Sequence, residues 1–206
     1  MPRAKLRTAD LRDHILHVAI DLLTEDGPRA LTARNVAQHA NTSPPAVYEL
    51  FGDKAGLVRG VFFEGFRRLR TQFEALDESA DAKGDVVAAI RAFRGFIREN
   101  PVLCEVMFSR PFGDFDPRPE DIRAAAWTRD FVVGRVQRAI DARQLDGDAT
   151  DIAHAVVALT QGLAASELSD RLGTTRSSID RRWDAATEAL LSGFAPTRRR
   201  GKEPAS

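Results

Sequence analysis

The chain has 206 residues, and 43% hydrophobic and 29% charged residues are the proportions of an ordinary globular protein, which excludes a disordered or fibrous chain. Lys and Arg together number 30, as do Asp and Glu, so the net charge is zero and the basic excess common in nucleic-acid-binding proteins is not seen. No apolar run approaches the roughly 18 residues of a membrane span, and the single cysteine cannot form an internal disulfide. These features predict a soluble cytoplasmic protein without a membrane partner.

Hydrophobic residues recur with helical spacing along most of the chain. The apolar face of a first helix, which Gly27-Pro28 ends, is formed by Leu11, Ile15, Val18, Ala19 and Leu22. Two short helices are predicted at 33–39 and 44–51, capped by Thr32 and Ser43. Further helices are predicted over 54–77, 85–99, 101–108, 119–143, 150–168 and 175–194. Because the alternation typical of strands is nearly absent from the sequence, the predicted fold class is all-α.

The two short helices and the tight turn between them, residues 31–51, would form either a helix-turn-helix or one of the helical hairpins that occur in many proteins. Asn41 stands in the turn at a position where a positive φ is expected, which Asn tolerates better than most residues. The second helix begins with small residues at 43–46, so its backbone can approach the floor of a DNA groove. The Tyr48 hydroxyl suits a phosphate, and Lys54 places a cation at the start of the next helix, where a phosphate would also be favoured.

The run from 27 to 58 resembles the DNA-binding domain of TetR-family transcriptional regulators. The residues that match the family pattern are Leu31, Thr32, Arg34, Val36, Ala37, Ala40, Ser43, Val47, Tyr48, Phe51, Lys54 and Leu57. The sequence departs from the pattern at Asn41-Thr42, where the family has Gly-Val, and at Glu49, where it has His. The resemblance covers about the first 60 residues, and the rest of the chain matches in architecture and size.

The resemblance implies a homodimer that places two recognition helices in successive major grooves of a near-palindromic double-stranded DNA operator. Residues carried over as contacts to the DNA backbone are Thr32, Tyr48 and Lys54. Residues carried over as readers of the bases are Arg34, Thr42, Ser43, Pro44 and Ala46. Of these, Arg34 is the best candidate for a two-point contact to guanine. The resemblance implies no enzymatic role and no cofactor.

This interpretation divides the chain into three parts. Residues 1–60 form the three-helix helix-turn-helix domain, with a basic arm at 1–9. A long helix joins it to an α-helical ligand-binding and dimerisation domain at 61–195. Residues 196–206 are a basic tail that is predicted to be disordered.

An effector pocket in the second domain is predicted to be largely apolar. Its candidate residues are Phe62, Phe66, Phe93, Met107, Phe108, Phe112, Trp127, Phe131, His154 and Gln161, with Arg94 and Thr128 as further polar groups. Each aromatic residue would equally suit an ordinary core, and the segment 109–119 would be either a gate to the pocket or a plain loop. The last two helices are expected to pair with those of a second copy. Each of the candidate dimer residues would also suit an ordinary intramolecular core. These residues, mostly small or apolar, are Ala158, Gly162, Ala165, Ile179, Trp183, Ala186 and Leu190.

Three glycines lie in the long helix that follows the helix-turn-helix, at positions 56, 60 and 65. They would either let this helix bend when a ligand binds or allow it to pack tightly against its neighbours. Replacing one of these glycines with alanine would distinguish the two alternatives. If the helix bends, the response to the ligand should be lost, and if it packs tightly, the protein should be destabilised.

The zero net charge conceals an uneven distribution. Residues 1–70 carry 11 Lys and Arg against 8 Asp and Glu, while residues 71–195 carry 15 against 21. The basic excess lies mainly near the N-terminus, at Arg3, Lys5, Arg7 and Arg12. These residues either reach along the DNA or form a solvated terminus.

The four histidines have no cluster of Cys or carboxylate ligands at metal-binding spacing, so no metal site is predicted. The sequence also contains no catalytic constellation. The predicted function is that of a ligand-responsive dimeric repressor, which a small-molecule effector releases from its operator. One alternative is an all-α small-molecule-binding protein or enzyme that does not bind DNA. Another is a DNA-binding protein whose second half only dimerises.

Overall fold

The computed structural model describes residues 2–108 and 119–196, apart from the side chains of residues 2–7, 120, 121, 124 and 125. These ranges contain α-helices, one short 3-10 helix and no strand, which confirms the all-α prediction. The helices are α1 (Pro2–Asp26), the 3-10 helix (Pro28–Ala30), α2 (Ala33–His39), α3 (Pro44–Phe51), α4 (Lys54–Glu74), α5 (Ala82–Glu99), α6 (Pro101–Phe108), α7 (Pro119–Asp141), α8 (Ala149–Leu168) and α9 (Arg176–Gly193). Within the described part of the chain, no helix is both long and apolar enough to cross a membrane.

Local capping explains why most helix bounds were predictable. The hydroxyls of Thr32 and Ser43 cap α2 and α3 at the predicted positions. By contrast, α5 begins at Ala82, three residues before its predicted start. The reason is the preceding Asp81, whose carboxylate accepts a hydrogen bond from the Gly84 amide at 3.0 Å and so caps the earlier turn.

Helix α1 begins at Pro2 and so includes residues 2–9 of the predicted basic arm. A proline in the first turn of a helix is favourable, because its missing amide hydrogen would have no partner there. The predicted tail begins at 196, and residues 197–206 lie outside the described residues.

The chain forms two compact units, the first from residues 1–71 with 96–126 and the second from residues 72–95 with 127–206. In the first unit, α6 packs against α1. The first unit therefore holds more than the predicted helix-turn-helix domain of 1–60. Its largest fully buried side chains include Ile15, Leu31, Leu57, Leu69, Phe96 and Leu103.

In the second unit, a group of polar side chains joins α5, α7 and the loop before α5. The Asp85 carboxylate accepts from the Ser79 amide at 2.9 Å, from the Ser79 hydroxyl at 2.7 Å and from Arg138 at 2.8 Å. These hydrogen bonds lower the pKa of Asp85 to about 2. Arg135, which is 4% exposed, donates to the carbonyls of Leu76 and Asp77 at 2.7 and 2.8 Å. The loop is thus held to α7 by hydrogen bonds to its backbone.

Candidate nucleic-acid interface

The turn between α2 and α3 has the geometry of a Schellman motif. Asn41 has a φ of 51° and donates to the Gln38 carbonyl, while the Thr42 amide donates to the Ala37 carbonyl at 2.9 Å. This pattern satisfies carbonyls at the end of α2 and reverses the chain within a few residues. The prediction of a positive φ at Asn41 is confirmed.

The predicted DNA-contacting side chains lie mostly at the surface. Tyr48 is 52% exposed. The other predicted contacts that are exposed are Thr32, Arg34, Ser43, Pro44 and Lys54, while Thr42 and Ala46 are half-buried. The start of α3 therefore presents small side chains that leave its backbone accessible.

Two of these residues also cap the first turns of α2 and α3. The Thr32 hydroxyl oxygen accepts from the Asn35 amide at 3.1 Å, and that of Ser43 accepts from the Ala46 amide at 3.4 Å. A hydroxyl that accepts in this way still has its hydrogen to donate. Each of the two hydroxyls can therefore cap a helix and still donate a hydrogen bond to DNA.

The other side of α3 is buried. Val47 and Phe51 are 2% and 8% exposed, and α3 makes its most extensive contacts with α2. Arg12 of α1 donates from Nη1 to the Leu50 carbonyl at 3.0 Å, and its guanidinium lies 4.6 Å from the centroid of the Phe51 ring. This contact was not predicted. The sequence nevertheless holds a signal for it. Arg12 lies four residues before the buried Leu16, so both side chains are on the same face of α1.

The junction of α3 and α4 is tightly packed. A Cβ atom at Gly56 would overlap the carbonyl oxygen of Phe51, and one at Gly60 would lie 2.9 Å from both the Leu16 and the Phe51 side chains. Gly52, with a φ of 81°, connects the two helices. Of the two alternatives for the glycines, these contacts support close packing at positions 56 and 60.

The predicted effector-pocket residues fall into both compact units. In the first, Phe66 has ring centroids 4.9 Å from Phe62 and 6.0 Å from Phe108. Met107 lies beside Gly65 in the same unit. Phe112 lies outside the described residues, as does most of the segment that was considered as a gate.

In the second unit, Phe131 stacks between two other rings, with centroids 4.8 Å from Phe73 and 5.5 Å from Trp127. Phe93 is buried. His154 and Gln161 are exposed on α8, and His154 is hydrogen-bonded to a carbonyl of its own helix. Of the two further polar candidates, Arg94 is engaged by two carboxylates, Glu167 at 2.9 Å and Asp180 at 2.8 Å.

The candidate dimer residues differ in accessibility. On α8, Ala158, Gly162 and Ala165 are exposed. On α9, the residues that are half-buried are Ile179, Ala186 and Leu190. Trp183 is 3% exposed and donates from its indole nitrogen to Glu167 at 2.6 Å, so it packs within its own chain and offers little surface to a partner.

Within the described ranges, no group of three or more His, Cys, Asp and Glu residues could hold a metal ion. The single cysteine, Cys104, is buried in α6, and burial raises the pKa of its thiol to about 12.

Comparison with known proteins agrees with this architecture. Residues 15–61 match the family model of bacterial regulatory proteins of the tetR family, and residues 86–190 match the model of the tetracyclin repressor-like C-terminal domain. These matches and the fold define an all-α helix-turn-helix transcriptional regulator. The chain belongs to the TetR family. A search of the curated proteins finds no match.

Several solved structures share the fold. A protein with unknown function from Rhodococcus sp. RHA1 is 25% identical, with a TM-score of 0.78 over 90% of this chain and 96% of that one. A bacterial regulatory protein of the tetR family from Rhodococcus RHA1 is 17% identical, with a TM-score of 0.69 over 91% and 98%. The TetR-family regulator PfmR from Thermus thermophilus is 20% identical, with a TM-score of 0.68 over 89% and 99%.

Proposed function

We propose that this DNA-binding regulator is a homodimeric, non-enzymatic repressor in the cytoplasm. It binds a near-palindromic operator through α3, and a small, largely apolar effector releases it. The observation that carries the DNA-binding part is the α2–α3 geometry, in which the Schellman turn at Asn41 presents a short recognition helix with small exposed residues at its start.

The base-reading role is assigned to Arg34, Thr42, Ser43, Pro44 and Ala46. Thr32, Tyr48 and Lys54 contact the DNA backbone. A gel-shift titration with the DNA upstream of the protein's own gene and of its neighbours tests this proposal. We expect a specific shift that survives moderate salt. A shift of the same strength with scrambled DNA would contradict it.

Arg34 offers a sharper test. A two-point contact to guanine accounts for about 1–3 kcal/mol of discrimination, so Arg34→Ala should relax the preference at one base pair of each half-site. Competition among operators that differ at single base pairs measures this preference. If the variant binds all of these DNAs more weakly by the same factor, Arg34 contacts a phosphate instead.

The dimer is proposed to form through α8 and α9. Its support is the exposed face of α8, which holds Ala158, Gly162 and Ala165 and ends at Leu168, an apolar side chain that is 46% exposed. A Cβ atom at Gly162 would have no neighbour within 4 Å, so a larger side chain there is compatible with the single chain.

Gly162→Arg is therefore expected to separate the dimer without unfolding the protomer. Gly134→Arg is a matched control, because Gly134 is also an exposed helical glycine, on α7, with no neighbour within 4 Å of a Cβ. Sedimentation velocity should show monomers for the first variant and dimers for the second. Dimers in both would place the interface elsewhere.

The effector is proposed to contact aromatic residues of the second unit. Its support in the second unit is a row of stacked rings, Phe73, Phe131 and Trp127, of which the last two are half-buried. Thr128 follows Trp127 in α7, and its hydroxyl is buried and has no hydrogen-bond partner among the described residues. By comparison, the hydroxyl of Thr160, which is also buried, has partners, because it donates to two carbonyls of its own helix at 2.9 Å. An apolar molecule with one hydrogen-bonding group would suit such surroundings.

A thermal-shift screen of apolar compounds, followed by operator release, tests the effector role. Compounds that release the DNA should stabilise the wild type more than Thr128→Val, which removes the hydroxyl and keeps the shape. Hits that act equally on both proteins would exclude Thr128 from the site. A complete lack of hits that release DNA would favour a protein whose second half only dimerises.

A further inference from the structure

We propose that Arg12 does not bind DNA but positions the recognition helix α3 from behind. This inference rests on the proposed DNA-binding function of α3. It concerns a residue of the basic N-terminal stretch that, from the sequence, was a candidate for reaching along the DNA.

The contacts of Arg12 point inward. Its Nη1 donates to the Leu50 carbonyl at 3.0 Å, and its guanidinium lies 4.6 Å from the centroid of the Phe51 ring. Leu50 and Phe51 are the last two residues of α3. A cation at this end of a helix also interacts favourably with the partial negative charge of the terminal carbonyls.

The opposite end of α3 is held by other means. There the chain leaves α2 through the turn at Asn41, and the Ser43 hydroxyl caps the first turn of α3. α3 is short, from Pro44 to Phe51, so fixing its two ends fixes the direction of its axis. At the end away from the turn, the hydrogen bond from Arg12 adds to the packing of Phe51 against α4.

A recess of about 360 Å³ lies at the same end of α3, and its lining includes Arg12, Leu50 and Gly52. The hydrogen bond from Arg12 to the Leu50 carbonyl restrains the last turn of α3 beside this recess. It acts in addition to the close packing of Phe51 against Gly56 and Gly60.

A positioning role and a phosphate-binding role predict different results for Arg12→Gln. Loss of positioning misplaces the base-reading side chains, so the ratio of operator affinity to scrambled-DNA affinity should fall about tenfold, as expected for one charged hydrogen bond. The slope of log affinity against log salt for the operator should not change. Loss of a phosphate contact would instead weaken both DNAs alike and reduce that slope by about 1.

The experiment uses the full chain, an operator selected from a random duplex pool by the wild-type protein and a scrambled duplex of equal length. Arg29→Gln is the matched control, since it removes the same charge from an exposed residue of the same unit. It should leave the affinity ratio unchanged. A variant that is only partly folded lowers the active fraction for both DNAs equally, so instability alone cannot change the ratio.

Arg12→Lys separates the two roles a second time. Lysine keeps the charge but has no planar group to lie over Phe51 and no fork of donors, so the affinity ratio should still fall. Full operator affinity in this variant, or a reduced salt slope in Arg12→Gln, would overturn the positioning role. If the wild type selects no operator at all, the proposed function itself fails, which is a distinct result.

Discussion

The guanidinium of Arg94 and the carboxylate of Glu167 meet at two points, with Nε–Oε2 at 2.9 Å and Nη2–Oε1 at 3.1 Å, and so join α5 to α8. Trp183 of α9 donates to the same carboxylate at 2.6 Å, and the Arg94 guanidinium lies 5.2 Å from the centroid of its ring. One carboxylate therefore connects three helices of the second unit.

This arrangement predicts that removing the Arg94 guanidinium lowers the free energy of unfolding more than removing the hydrogen bond from the Trp183 indole. Arg94→Met would leave Glu167 half-buried without its cation, and we expect the free energy of unfolding to fall by about 2–3 kcal/mol. Trp183→Phe keeps most of the ring volume and should cost about 1–2 kcal/mol. Urea unfolding measures both, and equal losses would contradict the central position of Glu167.

The low pKa of Asp85 predicts that acid destabilises the second unit. Hydrogen bonds from Ser79 and Arg138 lower the pKa of Asp85 to about 2, from an ordinary value of 3.8. Since the folded state has the lower pKa, the stabilisation is complete above about pH 4 and is lost as the pH falls through 2. Unfolding midpoints measured between pH 2 and 6 should decline more for the wild type than for Asp85→Asn. Parallel curves would contradict this assignment.

The left-handed residue in the turn between α2 and α3 predicts an asymmetry between two small substitutions. Asn41→Ala places an unsuited residue at a φ of 51° and should lower the free energy of unfolding by about 1 kcal/mol, whereas Asn41→Gly should not. Arg143, with a φ of 57°, offers a control outside the DNA-binding residues. Arg143→Gly should stabilise the protein by about 0.5–1 kcal/mol and leave operator affinity unchanged. Thermal unfolding and operator titration test both sites.

The glycines of α4 predict two different responses to alanine. At Gly56 a Cβ would meet the backbone oxygen of Phe51, which cannot move aside, so Gly56→Ala should cost about 1–3 kcal/mol. At Gly65 it would meet the flexible side chain of Met107, which can adapt while the helix gains up to about 1 kcal/mol of propensity. Gly65→Ala should therefore be close to neutral. If Gly56→Ala is equally neutral, the bending explanation gains support over packing.

The features that the sequence predicted correctly depend on neighbouring residues. The caps at Thr32 and Ser43 and the positive φ of Asn41 all involve partners within five residues along the chain. The exposure of the proposed DNA-contacting residues also follows from helical spacing, because the buried residues Val47 and Phe51 define the opposite face of α3.

The features that could not be predicted involve distant partners. Arg12 bonds a residue 38 positions away, and Arg135 bonds two carbonyls 58 and 59 positions away. Both are arginines whose targets are backbone atoms, which carry no side-chain pattern to match. Trp183 was a candidate both for contact with a partner subunit and for the intramolecular core, and its indole nitrogen donates to Glu167, 16 positions away within the chain.

The state of Cys104 bears on which signals this regulator can detect. Oxidants such as peroxides react with thiolates, and a buried thiol with a pKa of about 12 is almost entirely protonated at neutral pH. Because the chain has one cysteine, no second thiol can take over that chemistry. On the proposed function, operator binding is therefore expected to be indifferent to mild oxidants.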